Sequence, residues 1–536
     1  MSAISAAELR VPETFNAAAH FVDRHVAERR GLRVAIECGT ERVTYAQLHE
    51  RVNRFGSALR DRLHVRPEER VLLLLVDGPE FAYAFFGTMK IGAIAVPVNT
   101  LLKEADYRYL LDDTRAAVLV VSEACLPQIE RMPLAERRRL RHVVVVGNNP
   151  PRSEWLSFGD LLREGSPELE PEPTSRDEPA FWLYSSGSTG APKGCVHLHH
   201  DMVVCAELFG KGILGLTESD RTFSVAKLFF AYGLGNALYF PLSVGATTIL
   251  WPGPPAAQHV YDVIERHRPT LFYSVPTGYG MLLAHEKPAP PDFDLSSIRL
   301  AVSAGEALPP ALFERFKRRF GLEVIDGIGS TEALHMFISN RPGAIRVGSS
   351  GRLVRGYDAR ILDGDGRAVA TGEIGNLWIN GDSVCAGYWN KHDKTHDTIE
   401  GRWLRTGDKY SVDADGFYWY AGRSDDMLKV GGQWVSPIEV ENALLSHPDV
   451  QECGVVGYED QDALVKPLAF VVLRPGIEGG PQRGAELQQF VRAHLADFKR
   501  PRWVTFVREL PRTATGKIQR FKLRELARSA DGEIRR

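Results

Sequence analysis

A chain of 536 residues exceeds what one hydrophobic core can organise, so at least two domains are expected. Hydrophobic residues at 44% and charged residues at 25% are ordinary globular values, and a net charge of −3 provides no field for nucleic acid or an anionic membrane. Six scattered cysteines (Cys38, Cys125, Cys195, Cys205, Cys385, Cys453) form no C-x-x-C pair, which argues against a zinc site or a disulfide framework and makes a reducing cytoplasm the simplest compartment.

Residues 1–12 carry charges and no apolar run, so no secretory signal is expected. Thr44-Tyr-Ala-Gln47 is a capping box, followed at helical spacing by Tyr45, Leu48, Val52, Phe55 and Leu59. Residues 71–76 and 93–98 are short apolar runs on either side of a helical stretch at 79–91, which makes a βαβ unit. The strand pattern returns at 117–122 and 142–147, so the first part is an α/β sheet with helices on both faces. The polar, proline-containing stretch 150–178 reads as a surface connection.

Next comes Tyr184-Ser-Ser-Gly-Ser-Thr-Gly-Ala-Pro-Lys-Gly194, behind the strand-like Phe181-Trp182-Leu183-Tyr184. Its glycines permit close backbone approach to an anion, Ser185, Ser186, Ser188 and Thr189 add hydroxyl donors, and Lys193 adds a cation. The stretch reads as a phosphate cradle, though its spacing is not that of a Walker loop. Residues 228–251 hold no acidic or basic side chain and are long enough to span a membrane, but Gly233, Gly235, Asn236, Pro241, Ser243 and Gly245 divide them into a helix, a turn and a strand. Residues 260–268 are helical, 270–275 form a strand, and the stretches 300–309 and 324–332 each place a strand before a glycine-rich turn. Ligands in open α/β sheets sit at such strand ends. From Arg346 short strands with glycine turns predict a β-rich subdomain over 346–424, followed by a separate α+β domain with helices near 437–445 and 484–495 and strands near 450–456 and 468–473.

The phosphate stretch, with Asp326-Gly-Ile-Gly-Ser-Thr-Glu332, Leu404-Arg-Thr-Gly-Asp408, Gly422-Arg-Ser-Asp425 and Gly516-Lys517 in this order, resembles the adenylate-forming superfamily over nearly the whole chain. That family contains acyl- and aryl-CoA ligases, adenylation domains of peptide synthetases and beetle luciferases. The resemblance implies an N-terminal domain at 1–424 and a mobile C-terminal domain at 425–536 turning on Asp425. It places ATP against Ser185, Ser186, Gly187, Ser188, Thr189, Gly190, Lys193, Gly305, Glu306, Asp326, Gly327, Ser330 and Thr331, with the ribose on Asp408 and Arg423. Mg²⁺ is implied at Glu332 and Thr189, the adenylation lysine at Lys517, and the CoA tunnel at Gly431, Gly432 and Trp434. Phe498-Lys-Arg-Pro501 reads equally as a phosphate contact or a solvated turn.

Lys227-Leu-Phe-Phe-Ala-Tyr-Gly-Leu-Gly-Asn236, Ser330-Thr-Glu-Ala-Leu-His335 and Gly516-Lys-Ile-Gln-Arg-Phe521 resemble segments of benzoate-CoA ligases. They imply a flat slot of Phe230, Ala231, Tyr232, Gly233, Ala304, Gly327, Ile328, Gly329 and His335 for an aromatic carboxylate. The expected function is an ATP- and Mg²⁺-dependent aromatic acid:CoA ligase, acting without nucleic acid or membrane, as a monomer or homodimer. Loading of a carrier protein and a luciferase-like oxygenation remain open as alternatives.

Overall fold

The computed structural model describes residues 3–132, 139–147, 150–185, 191–285, 294–424, 426–430, 433–460, 464–512 and 518–529. Two large sheets carry the N-terminal part. One has eight strands in the order Gly387–Tyr388, Lys193–Leu198, Pro179–Ser185, Ile94–Pro97, Arg70–Leu74, Val118–Ser122, His142–Val146 and Leu156–Ser157. It is parallel from Pro179–Ser185 to Leu156–Ser157, and antiparallel only where Lys193–Leu198 pairs with its two neighbours. Val118–Ser122 is buried at every position, as a strand covered on both faces must be.

The second sheet has nine strands, parallel from Val324–Gly329 through Leu300–Ser303, Leu271–Ser274, Arg221–Ser224 and Thr247–Leu250 to Val34–Cys38, with antiparallel strands at both edges. Between the sheets lies a continuous core that includes Phe55, Phe85, Phe181, Leu238 and Phe240. The helix Tyr45–Ser57 starts on the expected box: Thr44 Oγ1 accepts from Gln47 N, and the Gln47 side chain accepts from Thr44 N. It packs on the helix Pro79–Lys90.

The long uncharged stretch is helical from Ala231 to Val244 and a strand from Thr247 to Leu250. Of its expected breakers only Gly245 ends the helix, in a left-handed conformation at φ 79°. Pro241 is absorbed because a wider π turn at Gly235–Tyr239 precedes it. Among the described residues no helix is long and apolar enough to cross a membrane.

Two boundaries differ from the sequence reading. The supposed connection at 150–178 contains the strand Leu156–Ser157 and the helix Phe158–Glu164, which bury Phe158 and Leu161 beneath polar neighbours. The five-stranded antiparallel sheet starts at Asp358; Arg352–Leu353 joins the nine-stranded sheet and Gly387–Tyr388 the eight-stranded one. Backbone pairing, rather than the glycine turns, decides membership.

The C-terminal part has its own core of Val440, Leu444, Val455, Val471 and Leu487. It comprises the hairpin Leu428–Val430 and Gln433–Val435, a sheet of Val450–Glu459, Val465–Leu473 and Trp503–Phe506, and the helices Pro437–Leu445, Pro481–His494 and Arg520–Ser529.

Candidate active site

The phosphate stretch joins two antiparallel strands, Pro179–Ser185 and Lys193–Leu198, which pair Ser185 with Lys193. Ser186, Gly187, Ser188, Thr189 and Gly190 lie outside the described residues, but both stems of the stretch are fixed from one helix, Glu104–Thr114. Tyr184 Oη donates to Asp113 Oδ2 at 2.7 Å, and Tyr109 Oη donates to the Pro192 carbonyl at 2.8 Å. Trp389 adds a third tie: its indole donates to the Asp113 carbonyl at 3.0 Å and its ring lies 4.5 Å from that of Trp182.

Tyr388 connects this region to Glu332. Its hydroxyl donates to Glu332 Oε1 at 2.8 Å, and Lys193 Nζ stands 4.4 Å from its ring centre. Burial and the adjacent Glu332 carboxylate push the Tyr388 phenol far up, so it acts as a neutral donor. The Glu332 carbonyl accepts from Cys385 N at 2.7 Å, and Ser330 Oγ accepts from Ala333 N at 3.2 Å. The loop of Ser330, Thr331 and Glu332 is therefore anchored to the sheet that carries the phosphate stretch.

Asp326 lies within Val324–Gly329, beside Leu300–Ser303, whose end leads to Ala304, Gly305 and Glu306. Burial pushes the Asp326 carboxyl up to about 8, despite its acceptance from Leu308 N at 3.4 Å. Gly327 packs so closely on Met336–Ser339 that a side-chain carbon there would stand 2.5 Å from the Ile338 carbonyl. Asp408 and Arg423 are cross-strand partners, and the guanidinium donates to Asp408 Oδ1 at 3.0 Å.

Aromatic rings gather next to these strand ends. Tyr232 Oη donates to the Val302 carbonyl at 3.0 Å, which fixes its ring against the strand leading to Ala304. His335 lies 5.6 Å from the Tyr232 ring, 5.1 Å from Phe209 and 4.5 Å from Phe240. Burial holds the His335 imidazole down at about 3, so it is a neutral ring at physiological pH. Phe230 and Ile328 are half-buried, while Ala231, Gly233 and Ala304 are buried.

The sequence reading missed what holds this wall in place. Lys227 Nζ donates to the Trp251 and Gly253 carbonyls at 2.5 and 2.8 Å and lies 3.8 Å from Asp77, which accepts from Leu228 N at 3.0 Å. Burial raises Asp77 to about 6 and lowers Lys227, each opposed by the charge of the other. Nothing periodic in the sequence links Asp77 to Lys227. Lys499 donates to both Glu439 oxygens at 2.6 and 2.7 Å. Asp425, Gly431, Gly432 and Lys517 lie outside the described residues, as does the Trp434 side chain.

Comparison with known proteins gives the class. Residues 23–389 match the AMP-binding enzyme family and residues 439–517 the AMP-binding enzyme C-terminal domain. The chain belongs to the AMP-binding enzyme family. It is 48% identical over 517 residues to the benzoate–CoA ligase of Thauera aromatica, covering 96% of this chain and 97% of that one. A benzoate CoA ligase from Burkholderia xenovorans LB400 superposes with a TM-score of 0.87 at 45% identity, covering 95% of this chain and all of the other. The anthranilate CoA ligase AuaEII in complex with anthranoyl-AMP superposes with a TM-score of 0.93 at 46% identity, covering 99% and 100%.

Proposed function

We infer that this protein is an AMP-forming aromatic acid:CoA ligase and that benzoate is its acid. The observation that carries this reading is the wall of Tyr232 and the neutral His335 beside the strand ends that present Asp326 and Glu332. A dry aromatic slot suits a flat ring, and nearby polar groups suit the nucleotide. The full-length likeness to the Thauera benzoate–CoA ligase supports the same acid.

In the first half-reaction the acid carboxylate attacks the ATP α-phosphate and pyrophosphate leaves. In the second the CoA thiol attacks the acyl carbon and AMP leaves. Residues 186–190 and Lys193 would hold the departing phosphates, Gly305, Glu306, Asp326 and Gly327 would edge the adenine, and Asp408 with Arg423 would take the ribose hydroxyls. Lys517 would bridge the acid carboxylate and the α-phosphate, neutralising charge as the bond forms.

Among the described residues no cluster of three His, Cys, Asp or Glu side chains could hold a metal by itself. A lone carboxylate oriented by Tyr388, as Glu332 is, fits Mg²⁺, which usually keeps water and substrate phosphate oxygens among its ligands. Mg²⁺ bound there with Thr189 would neutralise phosphate charge. Asp425 would serve as the pivot that begins the mobile domain at 425–536, with Gly431, Gly432 and Trp434 along the CoA path. All six cysteines are unpaired, in keeping with a reducing cytoplasm.

The test is pyrophosphate release over a panel of benzoates, with and without free CoA. Benzoate should give benzoyl-AMP alone and benzoyl-CoA when CoA is added. An adenylate that free CoA does not discharge would favour carrier loading, and an oxygen-dependent product would favour oxygenation.

A further inference from the structure

His197 occupies the strand Lys193–Leu198, past the phosphate stretch, and is fully buried with its ring 5.2 Å from that of Phe181. Its Nδ1 faces Asp201 Oδ2 at 2.7 Å, and its Nε2 faces the Thr331 carbonyl at 2.8 Å. Asp201, also fully buried, accepts from Leu198 N at 3.1 Å and lies 3.3 Å from His200 Nε2. His200 in turn faces the Arg176 and Asp382 carbonyls.

A carbonyl can only accept, so a ring nitrogen that bonds the Thr331 oxygen must carry the proton, and Nε2 is the nitrogen that faces it. The 2.7 Å contact of Nδ1 with Asp201 holds the ring in the orientation that aims Nε2 at that carbonyl. The groups facing it are Asp201 from the helix Asp201–Cys205, the uncharged Phe181 ring from Pro179–Ser185 and the Thr331 carbonyl; His200 and Asp382 act on it through Asp201. The Thr331 carbonyl belongs to the peptide that leads into Glu332.

We propose that His197 is a positioning residue for adenylation: held at Nδ1 by Asp201 and donating from Nε2 to the Thr331 carbonyl, it ties the Thr331–Glu332 peptide to the strand that leaves the phosphate stretch and so sets where the Glu332 carboxylate stands. Three contacts then fix Glu332: His197 before it, Cys385 N on its carbonyl and Tyr388 on its side chain. This rests on the reading of Glu332 given above. Residues that orient a ligating side chain without touching the ligand typically matter 10- to 100-fold.

Two amide replacements separate the two bonds. Gln places its amide nitrogen near the position of Nε2, and Asn places it near Nδ1. His197→Asn should lower kcat/KM for ATP in benzoate-dependent pyrophosphate exchange about 10- to 100-fold. His197→Gln should keep most of that activity, and both variants should make benzoyl-CoA from supplied benzoyl-AMP at the wild-type rate. Equal losses in the two variants, or none in either, would overturn the proposal. Independently of any variant, ¹⁵N-histidine NMR of the wild-type enzyme, assigned through contacts to the Phe181 ring, should show a proton on Nε2 of His197; a bare Nε2 overturns it as well. Glu332→Gln distinguishes the two levels of the argument. If it leaves adenylation intact, the role of the carboxylate fails; if it abolishes adenylation while His197→Asn does not, only the positioning fails.

Discussion

The stems of the phosphate stretch and the ring wall are held in place differently. On the first side the ties are hydrogen bonds from side chains on other elements: Asp113 to Tyr184, Tyr109 to Pro192, Tyr388 to Glu332. On the second side the means are packing and desolvation. Gly327 has no room for a side chain, His335 sits among three rings, and burial drives Asp326 up to about 8 and His335 down to about 3. On the proposed reading, groups that would meet a changing charge are kept polar and braced, while those that would recognise a ring are kept dry. A hydrogen bond can be removed without leaving a hole; a packed ring cannot.

The largest effect should come from Lys517→Ala. If the lysine serves the charge side alone, adenylation should fall about 10²-fold or more, the usual consequence of losing a group that stabilises developing charge. Selectivity over the benzoate panel should not change, and supplied benzoyl-AMP should still give benzoyl-CoA at a near-normal rate. A change in selectivity would mean that the lysine also shapes the ring slot.

Asp326 tests the dry side through pH. Its carboxyl is raised from 3.8 to about 8 by burial, so between those values the folded state keeps a proton that the unfolded state has lost. Its contribution to stability is therefore whole below about pH 4 and is lost as pH rises towards 8, with a slope of up to about 1.4 kcal/mol per pH unit. Asp326→Asn cannot ionise, so its stability measured by urea titration should fall less over this range, and the gap to wild type should widen towards pH 8. Parallel curves would show that Asp326 titrates near its ordinary value and that this side is wetter than its packing indicates.

Tyr232→Ala removes a ring from the wall and the hydroxyl that fixes it to the Val302 carbonyl. The cavity should raise KM for benzoate about tenfold and admit bulkier ring substituents, with KM for ATP little changed. An ATP effect as large as the benzoate effect would contradict the division between the two sides.

What the sequence discloses follows the same division. The strand that enters the phosphate stretch, the capping box at Thr44 and the strand ends at Ala304 and Asp326 are local patterns, in which neighbouring residues determine the backbone, and they are legible in order. The Asp113–Tyr184, Asp77–Lys227 and His197–Thr331 pairs are not local. Each joins residues far apart in the chain, and a lone Asp or His carries no periodic mark of its partner. The helix Phe158–Glu164 was hidden for a related reason: it has only seven residues, and polar, proline-containing stretches surround its few buried side chains.

The smallest effect isolates one brace. Tyr109 and Asp113 are four residues apart on the helix Glu104–Thr114 and so share one face, with Tyr109 holding the exit of the phosphate stretch and Asp113 its entrance. Tyr109→Phe deletes only the hydroxyl; the ring stays, and water can reach the freed Pro192 carbonyl because the bond is only partly buried. The loss of such a neutral bond is worth about 1 kcal/mol, so KM for ATP should rise no more than a few-fold. Tyr184→Phe leaves the charged Asp113 without that donor, and its effect should be larger, since bonds to ionised groups are the stronger ones. If the braces act together on one loop, the double variant should cost less than the sum of the two single changes, because the first loss already frees the loop. Throughout, the ranking of substituted benzoates should stay as in the wild type. A ranking that moves with Tyr109→Phe would show that the ring wall leans on the phosphate stretch, and the two sides would have to be treated as one.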